Sequence, residues 1–373
     1  MKLAIISHTP HYKDNGIYIA WGPTVREINH LPELFDEIYH IAPLHNEKVP
    51  DSSLSYSGNK IKYIPIKPYG GEKLADKISI ITTAFYNLKI ISKIIKNVDW
   101  VQFRAPTAMG IYVLPYLSLK RKPERWVKYA GNWLMKDPPL SYSFQKWWLE
   151  NNFQRSYVTI NGYWEGQKDH ILNFQNPCLD AEELIKAKNI AIKKDFNKKL
   201  TLGFAGSLTK NKGVDLIFEA LKNSDEKENI EEMIFAGDSP DRKKYEETAL
   251  GIDMKFRFEG SLSRKDMEKF YEKVDLIILP SESEGFPKVI AEAAAYGCVP
   301  VVSDVSSIGQ YFNETNGFLL KDINPDEIAA KIKSALNDRV KLKSMSVECT
   351  KVAELFTFQK YMNDLKTKIL NPV

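Results

Sequence analysis

Short apolar runs alternate with amphipathic stretches of helical length along this chain, a rhythm that predicts parallel β-sheets covered by helices. In the first half the runs predict strands at Leu3–Ser7, Ile38–Ala42, Lys62–Pro65, Trp100–Arg104, Trp126–Tyr129 and Tyr157–Ile160. A long apolar stretch at helical spacing predicts one helix over 77–97. The second half repeats the rhythm, with strands at Leu200–Ala205, Glu232–Ala236, Lys255–Glu259, Asp275–Leu279 and Val299–Ser303. Helices fall between them, at about 213–223, 241–249, 264–273 and 287–296. The segment 161–200, with its N-G-Y, its N-P and a lysine-rich run, breaks the rhythm and predicts an inter-domain connection with the boundary near 178–198.

Length agrees with two such halves, since 373 residues exceed one ordinary core. The default ligand site is then the cleft between them. Composition is that of a soluble globular protein, 43% hydrophobic and 27% charged. No run of about 18 uninterrupted apolar residues marks a membrane span, and the N-terminus reads as a first strand rather than a signal peptide. Three widely spaced cysteines, Cys178, Cys298 and Cys349, form no C-x-x-C, which favours a reducing compartment and plain packing roles. The net charge of +4 is uneven: residues 1–178 hold 22 Lys+Arg against 15 Asp+Glu, or +7, and the remainder 30 against 33, or −3. The basic half suits an anionic partner such as a membrane surface or a lipid-linked phosphate.

Three stretches carry candidate chemistry. In G-F-A-G-S-L-T-K-N-K-G (203–213) a strand ends in a glycine-rich turn and a helix opens. Gly206 and Ser207 let backbone N–H groups approach an anion, and Lys212 adds a full charge before the helix. It is neither a Walker A loop nor G-x-G-x-x-G. In S-E-S-E-G-F-P-K-V-I-A-E (281–292), Glu284 precedes a tight Gly285-Phe286-Pro287 turn and Glu292 lies about a turn and a half up the next helix. The N–H groups around Lys288 point out of the sheet edge, and two carboxylates there suit paired hydroxyls. In the first half, H-T-P-H-Y-K-D-N-G (8–16) and W-G-P-T-V-R-E (21–27) predict a long loop after the first strand. His8, His11, Lys13, Gly16 and Gly22 are its ligand candidates, and Arg104 is a further one facing the cleft. No H-E-x-x-H, Cys/His cluster or Asp-x-Asp triplet occurs, so no metal site is expected.

Together these stretches closely resemble the family 4 glycosyltransferases, retaining enzymes of the GT-B fold, in which two Rossmann-like domains face each other across a cleft. The resemblance runs through F-A-G-S-L-T-K-N-K-G, M-I-F-A-G-D-S-P, F-R-F-E-G-S-L-S-R, the whole of V-D-L-I-I-L-P-S-E-S-E-G-F-P-K-V-I-A-E and N-G-F-L-L, over about 120 residues. The first half matches only loosely. The resemblance implies an acceptor-binding domain over 1–178, joined by a C-terminal helix at about 356–373 that packs back on it, and a donor-binding domain over 179–355. Glu284 and Glu292 match the family's pair of glutamates, so Glu284 would hold the transferred sugar and Glu292 the ribose. Lys212 and the N–H groups of Gly285–Lys288 would hold the diphosphate, and Phe258–Gly260 would line the base. Two departures stand out. Ser207 sits where many relatives have arginine, with Lys210 as a possible substitute, and V-K-Y-A-G-N-W (127–133) has Gly131 or Asn132 where a histidine is common.

The implied function is transfer of a sugar from a nucleotide-sugar donor to a saccharide or lipid-linked saccharide, as in capsule, lipopolysaccharide or exopolysaccharide synthesis. No cofactor, metal or nucleic-acid partner is expected. The expected location is cytoplasmic, peripheral at the inner face of the cell membrane. The competing readings are a nucleotide-sugar epimerase on the same fold and a non-catalytic sugar-nucleotide binder.

Overall fold

A computed structural model describes residues 1–50, 52–71 and 74–372. In chain order the first elements are β1 (Lys2–Ile6), β2 (His11–Asp14), β3 (Ile17–Trp21), α1 (Gly22–His30), β4 (Glu37–Pro43), β5 (Ser53–Ser55), β6 (Ile61–Ile66), α2 (Leu74–Thr82) and α3 (Ala84–Ile95). They continue with β7 (Trp100–Ala105), α4 (Gly110–Ser118), β8 (Glu124–Tyr129), α5 (Leu140–Glu150), β9 (Tyr157–Ile160) and β10 (Ile171–Asn173). Then come α6 (Ala181–Lys193), β11 (Leu200–Ala205), α7 (Val214–Lys222), β12 (Ile230–Ala236), α8 (Arg242–Ala249), β13 (Phe256–Gly260), α9 (Arg264–Lys273) and β14 (Leu276–Leu279). The last are α10 (Lys288–Ala295), β15 (Val299–Ser303), β16 (Phe318–Leu320), α11 (Pro325–Asn337), α12 (Arg339–Ala353) and α13 (Phe358–Asp364).

The chain divides into two compact units, Met1–Asn176 with Lys360–Val373, and Pro177–Gln359. The first unit is built on a seven-stranded parallel sheet, order β10-β9-β8-β7-β1-β4-β6. Alternation along the strands sends side chains to opposite faces. Val101 and Phe103 pack with Ile91 and Ile95 of α3, Val113 and Leu114 of α4 and Leu149 of α5. Leu3, Ile5 and Trp126 pack on the other face with Ile28 of α1 and with Tyr361, Met362, Leu365 and Ile369 of the C-terminal segment. The second unit holds a six-stranded parallel sheet, order β13-β12-β11-β14-β15-β16, within a single core.

Three expectations need correction. The predicted loop over 8–16 is a hairpin: β2 and β3 pair antiparallel around Asn15-Gly16, and β5 adds a third strand. Both turn residues have positive φ, +46° and +84°, which Asn-Gly supplies with little strain. The predicted connection at 161–200 contains a 13-residue helix, α6, opened by a reciprocal Asp180–Glu183 capping box. Its Ala187 belongs to the core of the second unit, so the lysine run there is the solvated face of a packed helix. The single helix expected over 77–97 is two, α2 and α3, separated by a turn at Thr83.

Candidate functional site

The second sheet runs from β11 outward through β12 to β13, then returns to β14 on the other side of β11. The chain therefore reverses direction between β11 and β14, the point where open parallel sheets leave a crevice at the carboxyl ends of their strands. The loops at that edge are 206–213 after β11 and 280–287 after β14. They are the two stretches singled out in the sequence.

Glycines allow these loops to sit close together. Gly206 (φ +149°) donates to the Ala236 carbonyl at 2.9 Å, and Gly237 (φ +145°) to Gly260 at 2.7 Å. A Cβ on Gly237 would lie 1.8 Å from the Gly206 oxygen, and one on Gly213 would lie 2.3 Å from that of Pro280. The Glu282 N–H donates to the Asn211 carbonyl at 3.0 Å, tying loop to loop. Across this stitched edge Lys212 Nζ forms an ion pair with Glu284 Oε1. Their side chains are 31% and 10% exposed, so the ammonium is open to solvent while the carboxylate is mostly covered. Ser207 and Lys210 are exposed on the same loop. Pro287 occupies the N-cap of α10, no side chain caps that helix, and its first turn holds no acid. The positive dipole end of the helix suits an anion.

Glu292 is held firmly. Arg264 Nη1 lies 2.7 Å from its Oε1, and the Tyr271 hydroxyl donates to its Oε2 at 3.0 Å. Arg264 also grips Glu183 of α6 with Nε at 3.1 Å and Nη2 at 3.2 Å. Burial works against the Arg264 charge, yet the carboxylates of Glu292 and Glu183 outweigh it and raise its pKa. Burial, with Glu292 beside it, pushes the Tyr271 phenol well above its usual range, so it remains a donor. One lone pair on each Glu292 oxygen is thus committed internally, leaving the others for hydroxyls. Arg264 and Tyr271 went unassigned in the sequence because nothing in the spacing between α9 and α10 announces the contact.

Other predicted site residues have structural duties. The Phe286 ring is buried, stacked on Phe356 at 4.3 Å and edge-on to Tyr311 at 5.1 Å. Gly260 (φ +69°) closes β13 beneath Arg242, whose Nη2 donates to the Phe258 carbonyl at 3.0 Å.

In the first unit the candidates take separate duties, although desolvation and, after it, the Arg104 charge lower the pKa of His8. His8 and Lys13 are exposed, Gly16 is the hairpin turn, and Gly22 opens α1 with its N–H on the Ser52 carbonyl at 3.1 Å. Asn132 caps its own loop through the Leu134 N–H at 3.0 Å, and a Cβ on Gly131 would meet Pro106 at 2.9 Å. Arg104 is a correction. It points into the protein between the sheet and α1, where Glu27 Oε1 accepts from Arg104 Nη2 at 2.7 Å and from Lys128 Nζ at 2.6 Å. Lys128 also lies 4.6 Å from the centre of the Tyr361 ring, so this buried triad ties α1, the sheet and the C-terminal segment together.

His11 is buried as well, in a directed ring of hydrogen bonds. The Thr9 N–H donates to Ser7 Oγ at 3.1 Å, and Ser7 Oγ lies 2.7 Å from His40 Nε2. His40 Nδ1 and His11 Nε2 both meet the Tyr56 hydroxyl, at 2.5 and 2.6 Å, and His11 Nδ1 meets the Thr9 carbonyl at 2.8 Å. The carbonyl can only accept, so His11 donates from Nδ1 and accepts from Tyr56; Tyr56 accepts from His40, which accepts from Ser7. Each side chain in the ring donates once and accepts once, and the ring closes on Thr9. Burial holds both imidazoles below their ordinary pKa, His11 at about 4, so each is neutral, as this pattern of donors and acceptors requires.

Residues 186–352 match the family of glycosyl transferases, group 1. The matched segment contains both loops, Lys212, Arg264, Glu284 and Glu292. The chain spans 35% and 56% of the lengths of the first two curated relatives it matches. The O-antigen biosynthesis glycosyltransferase WclY of Escherichia coli is 26% identical over 200 residues, 49% of this chain and 51% of its own. Among solved structures, sucrose-phosphate synthase from Thermosynechococcus elongatus superposes with a TM-score of 0.73 at 13% identity, over 98% of this chain and 97% of its own. HepE from Anabaena, solved in complex with UDP, gives 0.67 at 14% identity over 98% of each chain. These likenesses show the fold: the chain has the GT-B architecture, two Rossmann-like domains.

Proposed function

We propose that the protein is a retaining glycosyltransferase that moves a hexose from a nucleotide sugar to a saccharide or lipid-linked saccharide during surface polysaccharide synthesis, at the cytoplasmic face of the membrane. The observation that carries this reading is the Lys212–Glu284 pair at the switch point, beside the start of α10, which carries the anchored Glu292 about one turn further on. The group 1 match over the same segment, the O-antigen role of WclY and the UDP held by HepE support it.

In this reading the diphosphate takes the Lys212 ammonium and the N–H groups of Gly285–Lys288, which frees Glu284 to accept from the hydroxyls of the sugar. Glu292, held by Arg264 and Tyr271, accepts from the ribose hydroxyls. The acceptor hydroxyl attacks the anomeric carbon on the face the diphosphate is leaving. The carbon–oxygen bond to the acceptor forms as that to the diphosphate breaks, and the proton passes to the departing phosphate. The protein contributes position and stabilisation of the leaving charge, and no metal is assigned a part.

The test is turnover of UDP- and other nucleotide-activated hexoses with saccharide acceptors. Lys212→Ala and Glu284→Ala are each expected to lower the rate by about 10²–10³, the usual effect of removing one preorganised charge partner. Near-wild-type transfer in both variants would overturn the site. Turnover of the donor alone to an epimer would overturn the reaction.

A further inference from the structure

The helices α3, α4 and α5 pack over one face of the first sheet, with α2 running into α3, and their outer surface is unusual for a protein surface. Among the described residues the stretch Lys77–Ile95 is long and apolar enough to cross a membrane by length and composition, yet only 17% of it is buried. Its outward residues recur at intervals of three and four: Ile78, Ile81, Phe85 and Tyr86, followed by Lys89, Lys93 and Lys96. Ile78 is 54% exposed, Ile81 74% and Phe85 83%, so the apolar half of the face lacks cover. The second half is purely basic, because residues 77–98 contain four lysines and no acid.

The neighbouring helix extends the same pattern. Both α3 and α4 connect parallel strands, so they run in the same direction and end at the same sheet edge. There α4 contributes Leu119, 83% exposed, followed by exposed Lys120, Arg121 and Lys122. The acids on this edge include Asp99, which accepts from the Lys2 N–H at 2.7 Å, Glu124, Asp36, which pairs with the N-terminal amine, and Glu37, which pairs with Lys2 and Lys62.

We infer that this face is a docking surface for a bilayer rich in anionic phospholipid, on which the first unit lies without spanning it. Two observations choose this occupant. Along 77–98 the charge is of one sign and sits beside the apolar half, as an interface offering both phosphate headgroups and acyl chains requires. The inner side of α3 is bound to its own domain: Ile91 and Ile95 are buried in the core, and Asn87 holds Lys67 through N–H···Oδ1 at 3.0 Å and Nδ2–H···O at 3.1 Å. Crossing a bilayer takes about 20 residues with lipid on all sides, and this helix cannot leave the sheet to provide them. The apolar half from Ile78 to Tyr86 covers only about 12 Å along a helix axis, a length suited to lying in the headgroup region. The inference deepens the membrane location of the proposed function but does not depend on the donor chemistry.

The test is sedimentation of the full-length protein with vesicles of phosphatidylcholine alone and of phosphatidylcholine with an equal part of phosphatidylglycerol. Binding is expected only to the anionic vesicles and should weaken with salt. Lys89→Glu with Lys93→Glu should weaken it by at least about tenfold, since each lysine near such a surface contributes about a factor of five. Ile81→Ser with Phe85→Ser should weaken it by roughly tenfold or more at every salt concentration. Thermal stabilisation by UDP, read on the same preparations, should be unchanged in both double variants. Loss of vesicle binding with UDP stabilisation intact supports the surface. Equal binding to both vesicle types, wild-type binding by both variants, or a dimer that the Ile81/Phe85 variant dissociates overturns it. UDP stabilisation absent from the wild type counts against the donor site alone.

Discussion

Lys212 and Glu284 carry opposite charges within one ion pair, and that pairing sets what each is free to bind. An ammonium 31% exposed can be drawn away by a diphosphate, whereas a carboxylate 10% exposed has few other partners. Arg264 is the residue that holds Glu292 in place. Arg264→Ala would leave Glu292 and Glu183, 12% and 19% exposed, without their common cation. Because neither is fully buried, the expected loss is about 1–3 kcal/mol in urea unfolding, below the 3–5 typical of a fully buried pair. The same variant should raise the KM for the nucleotide sugar more than it lowers kcat, which steady-state kinetics would show. The histidine ring gives a pH signature. His11 has an ordinary value of 6.5 and titrates at about 4 when folded. The unfolded chain therefore takes up the proton first as pH falls. The stabilisation is complete above about 6.5 and is lost between there and about 4, with His40 contributing in the same direction. His11 adds a slope of up to about 1.4 kcal/mol per pH unit in that window. Urea midpoints for wild type and His40→Gln across pH 4–7 would check it, the variant giving the flatter curve.

At the level of elements, the sequence signals failed where two patterns competed. Asn15-Gly16 between alternating residues is a strong hairpin signal, but the polar character of 8–16 suggested a loop instead. Gly16 therefore belongs to turn geometry. A Cβ there meets nothing within 4 Å but must adopt φ +84°, so Gly16→Ala should cost about 1–2 kcal/mol of stability in thermal or urea unfolding. Donor binding should be unaffected; a fall in UDP affinity would instead assign the glycine to a ligand. The lysine run of α6 suggested a linker because its buried positions, Ala187 and Ala191, are small and carry little hydropathy signal. Helix packing, not composition, makes that segment part of a core. The strands of both sheets were more legible, Tyr157–Ile160, Leu200–Ala205 and Val299–Ser303 to the residue, because a strand buried on both faces is an apolar run with sharp ends.

Across the whole molecule, the sequence by itself determined the α/β class, the two repeated sheets, the two loops that carry Lys212 and Glu284, and the helix that carries Glu292. These follow from local facts: period, turn residues and glycine positions, each readable within a dozen residues. Only the tertiary structure decided which long-range partners those residues meet. Arg104 reads as a cation at a strand end, and it is the fold that turns it inward onto Glu27, 77 residues away. Arg264 reads as one more helix-start cation until α6, α9 and α10 pack and place it between Glu183 and Glu292. The apolar spacing over 77–97 predicts a helix but cannot say which side a sheet will cover, so the exposed face of α2 and α3 is visible only in the fold. Charge pairing and exposure depend on contacts between distant elements, and a linear pattern carries no measure of those distances.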